Sequence, residues 1–178
     1  MFQVRINKLR EKLSEYTLDG LIVSKSENIY YTTGFSGEGL AIITGQKNYI
    51  ITDFRYTEQA KSETIGFEIV EIGSGLSHFS IAYNLLKDLG LSTIGIESHS
   101  LTVKEYDKLV SHFKNINLVK TNGLIEELRV TKDANEITFI KTAQEITDKA
   151  FEHILDFIKP EVSELDLVAE LEYFMKKN

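Results

Sequence analysis

The chain contains no cysteine, a single proline and only four histidines in 178 residues. The first shortage rules out a disulfide framework and thiolate metal sites, and it suits a reducing, cytoplasmic location. The histidines are His78, His99, His112 and His153. None forms an HxxxH or HExxH pair, and none stands among carboxylates at ligand spacing, so each reads as a structural histidine. No complete metal site or catalytic triad can be assembled from these residues. Long apolar runs are also missing: none approaches the roughly 18 to 20 residues of a membrane span. The N-terminus is amphipathic and charged, without the apolar stretch of a secretory signal.

Positive charge is scarce where it would matter for nucleic acid. The net charge is −7. Residues 1–122 hold 13 basic and 14 acidic side chains, and 123–178 hold 7 and 13, so the acidity belongs to the last third. No basic stripe exists for phosphate contacts, and neither nucleic acid nor membrane is expected as a partner. Glu126-Glu127 and Glu170-Glu172 read as solvated helix faces.

What is present is periodicity. Ile6, Leu9, Leu13 and Tyr16 recur at helical spacing and predict an amphipathic first helix, broken at Asp19-Gly20. Leu21-Ile22-Val23 reads as a buried strand. Leu40–Ile43 and Tyr49–Ile51 flank a turn-like TGQKN and predict a hairpin. A short helix over Tyr56–Thr64 and a strand over Phe67–Ile72 follow. Next come a helix over His78–Leu89, a strand over Thr93–Ile96, a helix over Val103–Phe113 and a strand at Leu118-Val119. This alternation predicts an α/β fold with a mixed sheet flanked by helices.

The pattern changes after Asn122-Gly123, which divides the chain into 1–122 and 123–178. Asp133 with Glu136 is a capping box, and Ile137, Ile140, Ile146, Ala150 and Ile154 mark the buried face of a long helix that Pro160 ends. Ser163 with Asp166 caps another helix carrying Leu165, Val168, Leu171 and Phe174. Two amphipathic helices do not make a core, so their apolar faces require cover, as in a larger domain cut short.

Two short stretches bear on chemistry. GFSGEG, Gly34 to Gly39, is followed by a strand rather than a helix, which disfavours a phosphate cradle or a nucleophile elbow and favours a turn with close backbone approach. Asp53-Phe54-Arg55-Tyr56 ends an apolar strand. Its arginine either pairs with Asp53 to cap the sheet or holds a ligand carboxylate or carbonyl. Composition and spacing leave both open.

NIYYTTGFSGEG (Asn28–Gly39) followed by ITDFRYTEQA (Ile51–Ala60) resembles the N-terminal domain of the creatinase, prolidase and aminopeptidase P family, whose pattern is N-x-x-Y-x-T-G-F-x-G and then T-D-G-R-Y. Leu124 to Glu172 resembles the link and opening helices of that family's catalytic domain. Phe54 and Glu161 stand where the family pattern has glycine.

The resemblance implies a ribonuclease-H-like mixed sheet, plus two helices from the start of a "pita-bread" catalytic domain. It implies a parent Xaa-Pro metallopeptidase that cleaves before proline with two divalent ions, Mn, Co or Zn. Their aspartate, histidine and glutamate ligands would lie beyond Asn178, so no metal and no catalytic residue is assigned to this chain. It also implies a homodimer in which Arg55 contacts peptide substrate in the partner subunit's site. Asp53 and Tyr56 would position it, and Tyr30, Phe35 and Tyr56 would line the pocket mouth. The alternatives are a creatinase-like hydrolase and a non-catalytic protein-binding module.

Overall fold

The computed structural model describes residues 2–178, which form two compact units, one running to Val130 and the other Thr131–Asn178. The first unit opens with α1 (Phe2–Glu15), β1 (Gly20–Val23), α2 (Ser26–Thr33), the hairpin β2 (Leu40–Thr44) and β3 (Asn48–Thr52), α3 (Thr57–Glu63) and β4 (Glu68–Glu71). It continues with α4 (His78–Asp88), β5 (Thr93–Glu97), α5 (Val103–His112), β6 (Asn117–Thr121) and α6 (Leu124–Val130). The six strands lie in the order β4-β3-β2-β1-β5-β6. β2 is antiparallel to both neighbours, and the other pairs are parallel, which makes the expected mixed sheet.

Strand alternation sorts the core into two layers. Leu21, Val23, Ala41, Ile43 and Ile50 face one side, where Ile6, Leu9 and Leu13 of α1 cover them. Ile22, Leu40, Ile42, Ile51, Ile94 and Ile96 face the other, against Leu86 of α4 and Leu109 of α5. Period-two side chains on strands and period-3.6 stripes on helices meet here, and burial of these apolar faces is what drives the layers together. Tyr16, counted at sequence level on the buried stripe of α1, lies past the end of that helix and is 55% exposed.

The connections diverge at the centre of the sheet. After β1 the chain passes to α2, on the α1 side, and goes on to β2. After β5 it passes to α5, on the opposite side, and goes on to β6. β1 and β5 are adjacent and parallel, so a crevice opens at their carboxyl ends, the place where open α/β sheets bind ligands.

α6 corrects the division at 122/123. Its Leu124 and Ile125 are buried in the α1-side core, so this helix belongs to the first unit and the units divide at 130/131.

The second unit is α7 (Ala134–Phe157) and α8 (Glu164–Lys177). Both predicted capping boxes form, with the Asp133 side chain accepting from the Asn135 and Glu136 amides and Ser163 accepting from Asp166. The long buried face is only half realised. Ala150 and Ile154 are buried, whereas Ile137 and Ile140 are 44% and 55% exposed. Length explains this: at about 1.5 Å per residue α8 spans ~21 Å and α7 ~36 Å, so α8 can cover only part of its neighbour. Phe139, Phe151, Leu165 and Val168 are also exposed. Glu161, between the helices, holds a positive φ of 73°, a conformation that favours the glycine of the family pattern.

Candidate functional site

β3 ends at Thr52, and residues 53–56 turn the chain into α3, with the Tyr56 amide donating to the Asp53 carbonyl at 3.1 Å. The Asp53 carboxylate holds the turn from inside. It accepts from the Arg55 amide at 2.9 Å, from Arg55 Nε at 3.0 Å and from Nη2 at 2.7 Å. Nη2 also reaches Glu38 at 3.3 Å, and the guanidinium carbon lies 5.1 Å from the centre of the Tyr56 ring. The Arg55 hydrogen bonds and charge hold the Asp53 carboxyl below its ordinary range, and Asp53 in return raises the Arg55 pKa, so the pair stays ionised.

Anchoring is one-sided. A guanidinium presents five N–H donors. Asp53 and Glu38 engage Nε and Nη2, while Nη1 has no hydrogen-bond partner among the described residues and the side chain is 55% exposed. The cap and the ligand contact weighed from sequence are therefore compatible: one edge of the fork caps the turn and Nη1 makes no hydrogen bond among the described residues.

The expected aromatic companions separate. Tyr56 packs partly buried against the α1-side core. Tyr30 is 56% exposed on α2. Phe35 does not line a pocket mouth; it is 1% exposed and packed within the core. Its place explains part of the glycine-rich turn, because a Cβ on Gly37 would lie 2.6 Å from the Phe35 ring and 2.8 Å from Tyr56, and one on Gly39 would lie 2.6 Å from the Ile51 carbonyl. Phe54, in contrast, is 76% exposed and, unlike Thr17 and Glu161, has no positive φ, so the aromatic replaces glycine there without backbone strain.

Asp53, Arg55 and Glu38 form one wall of a cavity of about 420 Å³ at the carboxyl edge of the sheet. Ser24 beyond β1, Ser100 beyond β5, His78 at the start of α4 and Lys108 of α5 also line it. Burial lowers the His78 pKa, against the pull of Asp53, so the imidazole is neutral near pH 7. Sequence reasoning missed this role for His78, since the residues that surround it come from five separate segments.

A second polar cluster was also illegible. Asn28, fully buried on α2, donates to Glu97 at 2.6 Å and to Glu126 at 2.8 Å and accepts from Arg129 at 2.9 Å. Glu97, 3% exposed at the end of β5, also accepts from the Ser24 and Lys25 amides at 2.7 and 2.9 Å. Glu126 accepts from Lys25 at 3.2 Å and pairs with His99 at 2.9 Å. Burial raises the Glu126 pKa, yet the bonds from Asn28, Lys25 and His99 outweigh it and hold the carboxyl at about 2. His99 is thus the structural histidine expected, and Glu126, its partner, is a network member rather than the solvated glutamate expected. Glu170 is likewise engaged, with His153 at 2.6 Å.

Ligand atoms of Glu97, His99 and Glu126 lie within 4.8 Å of one another, as a cation site would require. The donors do not fit one. The carboxylates already accept from amides and from the Lys25 ammonium, and a cation there would have to displace these N–H groups. The cluster is a hydrogen-bonded clasp joining α2, β5 and α6.

The fold and these motifs have close counterparts. Residues 5–131 match the family model of the creatinase/prolidase N-terminal domain, and 138–178 match metallopeptidase family M24. An uncharacterized peptidase of Bacillus subtilis, YqhT, is 38% identical over 97% of this chain and 49% of its own. A Xaa-Pro dipeptidase of Pyrococcus furiosus is 31% identical over 98% of this chain and 48% of its own. The solved structure of a Xaa-Pro dipeptidase from Bacillus anthracis superposes with a TM-score of 0.92 at 36% identity, covering 99% of this chain and 49% of that one. The chain spans about half the length of the curated relatives it matches. It belongs to the creatinase/prolidase N-terminal domain family and carries the beginning of a family M24 metallopeptidase domain.

Proposed function

We propose that the chain is the non-catalytic N-terminal portion of a metal-dependent Xaa-Pro peptidase, working in the cytoplasm as a homodimer. Its role is dimerisation and restriction of substrate, with Arg55 reaching a carboxylate or carbonyl of a proline-containing peptide in the partner subunit's site. Asp53 and Tyr56 position Arg55 for that contact, and Tyr30, unlike the buried Phe35, offers an exposed ring. Two divalent ions, Mn, Co or Zn, would supply the hydrolytic chemistry from the part of the relatives that this chain does not span.

One observation carries the reading. Arg55 is fixed along Nε and Nη2 while Nη1 is unengaged among the described residues, which is the arrangement of a pre-oriented anion contact. The names of the relatives supply the substrate class.

The experiment replaces Arg55 by alanine in the full-length enzyme. The expected result is a fall of about 10²-fold in kcat/KM on Xaa-Pro peptides, chiefly through KM, with the circular dichroism spectrum and Tm unchanged, the range of a lost charged substrate contact. Unfolding without a selective kinetic defect would leave Arg55 as a cap alone. The 178-residue chain with added Mn²⁺ is expected to cleave no Xaa-Pro peptide.

A further inference from the structure

An asparagine or aspartate is followed by glycine at two places, Asp19-Gly20 and Asn122-Gly123. With no Cβ on the second residue, its backbone nitrogen can approach the side-chain carbonyl carbon of the first. The fold treats the two pairs differently. The Asp19 carboxylate accepts from the Ser92 and Thr93 amides at 2.9 and 2.8 Å, bonds that hold it ionised and below its ordinary range. Gly20 is paired within β1, where a Cβ would lie 3.0 Å from the Ile43 carbonyl. An ionised, tethered carboxylate beside a packed strand is a poor electrophile.

Asn122 is exposed, and its side chain makes no hydrogen bond among the described residues. The Gly123 nitrogen also donates none there. It precedes the first amide that α6 closes, that of Glu127 to the Gly123 carbonyl at 2.8 Å. Gly123 holds a φ of 76°, and a Cβ on it would meet nothing within 4 Å, so the turn is open on that side.

We propose that Asn122-Gly123 is a site of spontaneous covalent modification, deamidation through a succinimide. The Gly123 nitrogen bonds to Asn122 Cγ, its proton passes to the side-chain nitrogen, and that nitrogen leaves as ammonia. Water then opens the ring at either carbonyl. One opening gives aspartate in the normal chain. The other gives isoaspartate, whose backbone runs through the side chain and is one carbon longer.

The longer product strains the joint between β6 and α6. Thr121 is 5% exposed, its hydroxyl donates to the Ile96 carbonyl at 2.9 Å, and its carbonyl accepts from the Ser98 amide at 3.2 Å. Leu124 is 3% exposed in the α1-side core. Only Asn122 and Gly123 lie between these anchors. An added backbone carbon therefore pulls on the end of β6 or on α6, whose Glu126 and Arg129 hold Asn28. The aspartate product keeps the chain length and only adds charge to an exposed side chain.

The test incubates the 178-residue chain in warm, mildly alkaline buffer and then digests it with trypsin, which releases Thr121–Arg129. Mass spectrometry reads amide turned to acid, and a protein isoaspartyl methyltransferase counts the isoaspartate. Asn122 is expected to convert within about tenfold of the rate of the free peptide Thr121–Arg129. It should convert at least about tenfold faster than Asn115, whose following amide, that of Ile116, is bonded to the Phe113 carbonyl at 3.3 Å. The isoaspartate fraction should melt about 5 °C below the fresh chain. Asn122→Gln, which closes such a ring far more slowly, should keep its Tm through the incubation, and Asn122→Asp should melt within about 2 °C of wild type. Conversion more than about tenfold slower than in the free peptide, or no faster than at Asn115, would show that the turn withholds the pair and would overturn the proposal. So would an isoaspartate fraction with the fresh chain's Tm, or an Asn122→Asp chain melting as low as that fraction. None of these outcomes bears on cleavage by the Arg55→Ala enzyme.

Discussion

Replacing Glu97 by alanine is expected to be among the most damaging polar substitutions in the first unit. Glu97 is 3% exposed, and its two oxygens accept from the Ser24 amide at 2.7 Å, the Lys25 amide at 2.9 Å and the Asn28 amide nitrogen at 2.6 Å. The first two donors lead into α2, and the third belongs to a fully buried side chain. Alanine strands the Ser24 and Lys25 amides and leaves the Asn28 amide nitrogen with Glu126 alone. A buried donor left without a partner costs about 1–3 kcal/mol, and water entering the vacated space recovers some of that, so the loss should be about 4 kcal/mol. That is a large share of the ~5–15 kcal/mol that holds a domain folded, and at about 3 °C per kcal/mol it lowers Tm by roughly 10–12 °C. Calorimetry or circular dichroism melting of wild type and variant reads it directly. Glu97→Gln should lose less, about 2 kcal/mol, because it keeps one acceptor oxygen while turning an amide donor toward other donors. A drop of less than about 3 °C for the alanine variant would refute the clasp. So would a rise in wild-type Tm on adding Mn²⁺ or Zn²⁺ that vanishes in the variant, since the carboxylate would then be a ligand and not a hydrogen-bond hub.

Other consequences follow from the same geometry. The Glu126 carboxyl sits at about 2 against an ordinary 4.5. Its stabilisation is therefore fully present above pH 4.5 and is lost as pH falls toward 2; after allowance for partial exposure, Glu126→Gln should remove about 2 kcal/mol at pH 7 and almost nothing at pH 2, measured by urea unfolding at both values. Phe35→Ala should cost about 3–5 kcal/mol in the same assay and impair all peptide substrates of the full-length enzyme alike, because the ring is core and not pocket; a selective effect on one substrate would contradict its burial. Glu161→Gly relieves a positive φ worth about 1 kcal/mol but adds unfolded-state entropy, so a gain of no more than about 0.5 kcal/mol in helical unfolding is expected, and a loss would show that the φ is not strained.

The sheet could be read from the chain because each strand states its own burial. Alternation in Leu21-Ile22-Val23 and Leu40–Ile43 assigns the two faces, and the spacing of Ile6, Leu9 and Leu13 assigns the helix that covers one of them. Local signals also announced the ends of α7 and α8, whose capping boxes need only a side chain and the amide three residues on. α2 escaped because its sequence, Ser26–Thr33, is stabilised by contacts beyond itself: Asn28 is fixed by β5 and α6, and Thr32 and Thr33 bond back to the helix carbonyls. The division at 122/123 erred for a related reason, since the glycine marks a real turn but cannot tell which core receives Leu124 and Ile125.

The same distinction governs the site. Asp53 and Arg55 are two residues apart, so their pairing was visible as a possibility, but only coordinates show that the pairing uses one edge of the guanidinium and spares Nη1. That asymmetry changes the meaning of the acid. A carboxylate that captured the entire fork would compete with a substrate anion. One that holds Nε and Nη2 instead keeps the group charged, fixes its plane and, for the proposed substrate contact, would lower the entropy lost when Nη1 meets a second carboxylate. Asp53→Asn tests this consequence, because it retains the turn-forming acceptor for the Arg55 amide while weakening the charge-assisted bonds to the fork. In the full-length enzyme it should raise KM for Xaa-Pro peptides by about tenfold with kcat changed much less, the pattern of a lost ground-state and transition-state contact held in common. An unchanged KM would mean that Arg55 finds its orientation without Asp53, and that the pairing serves only the turn.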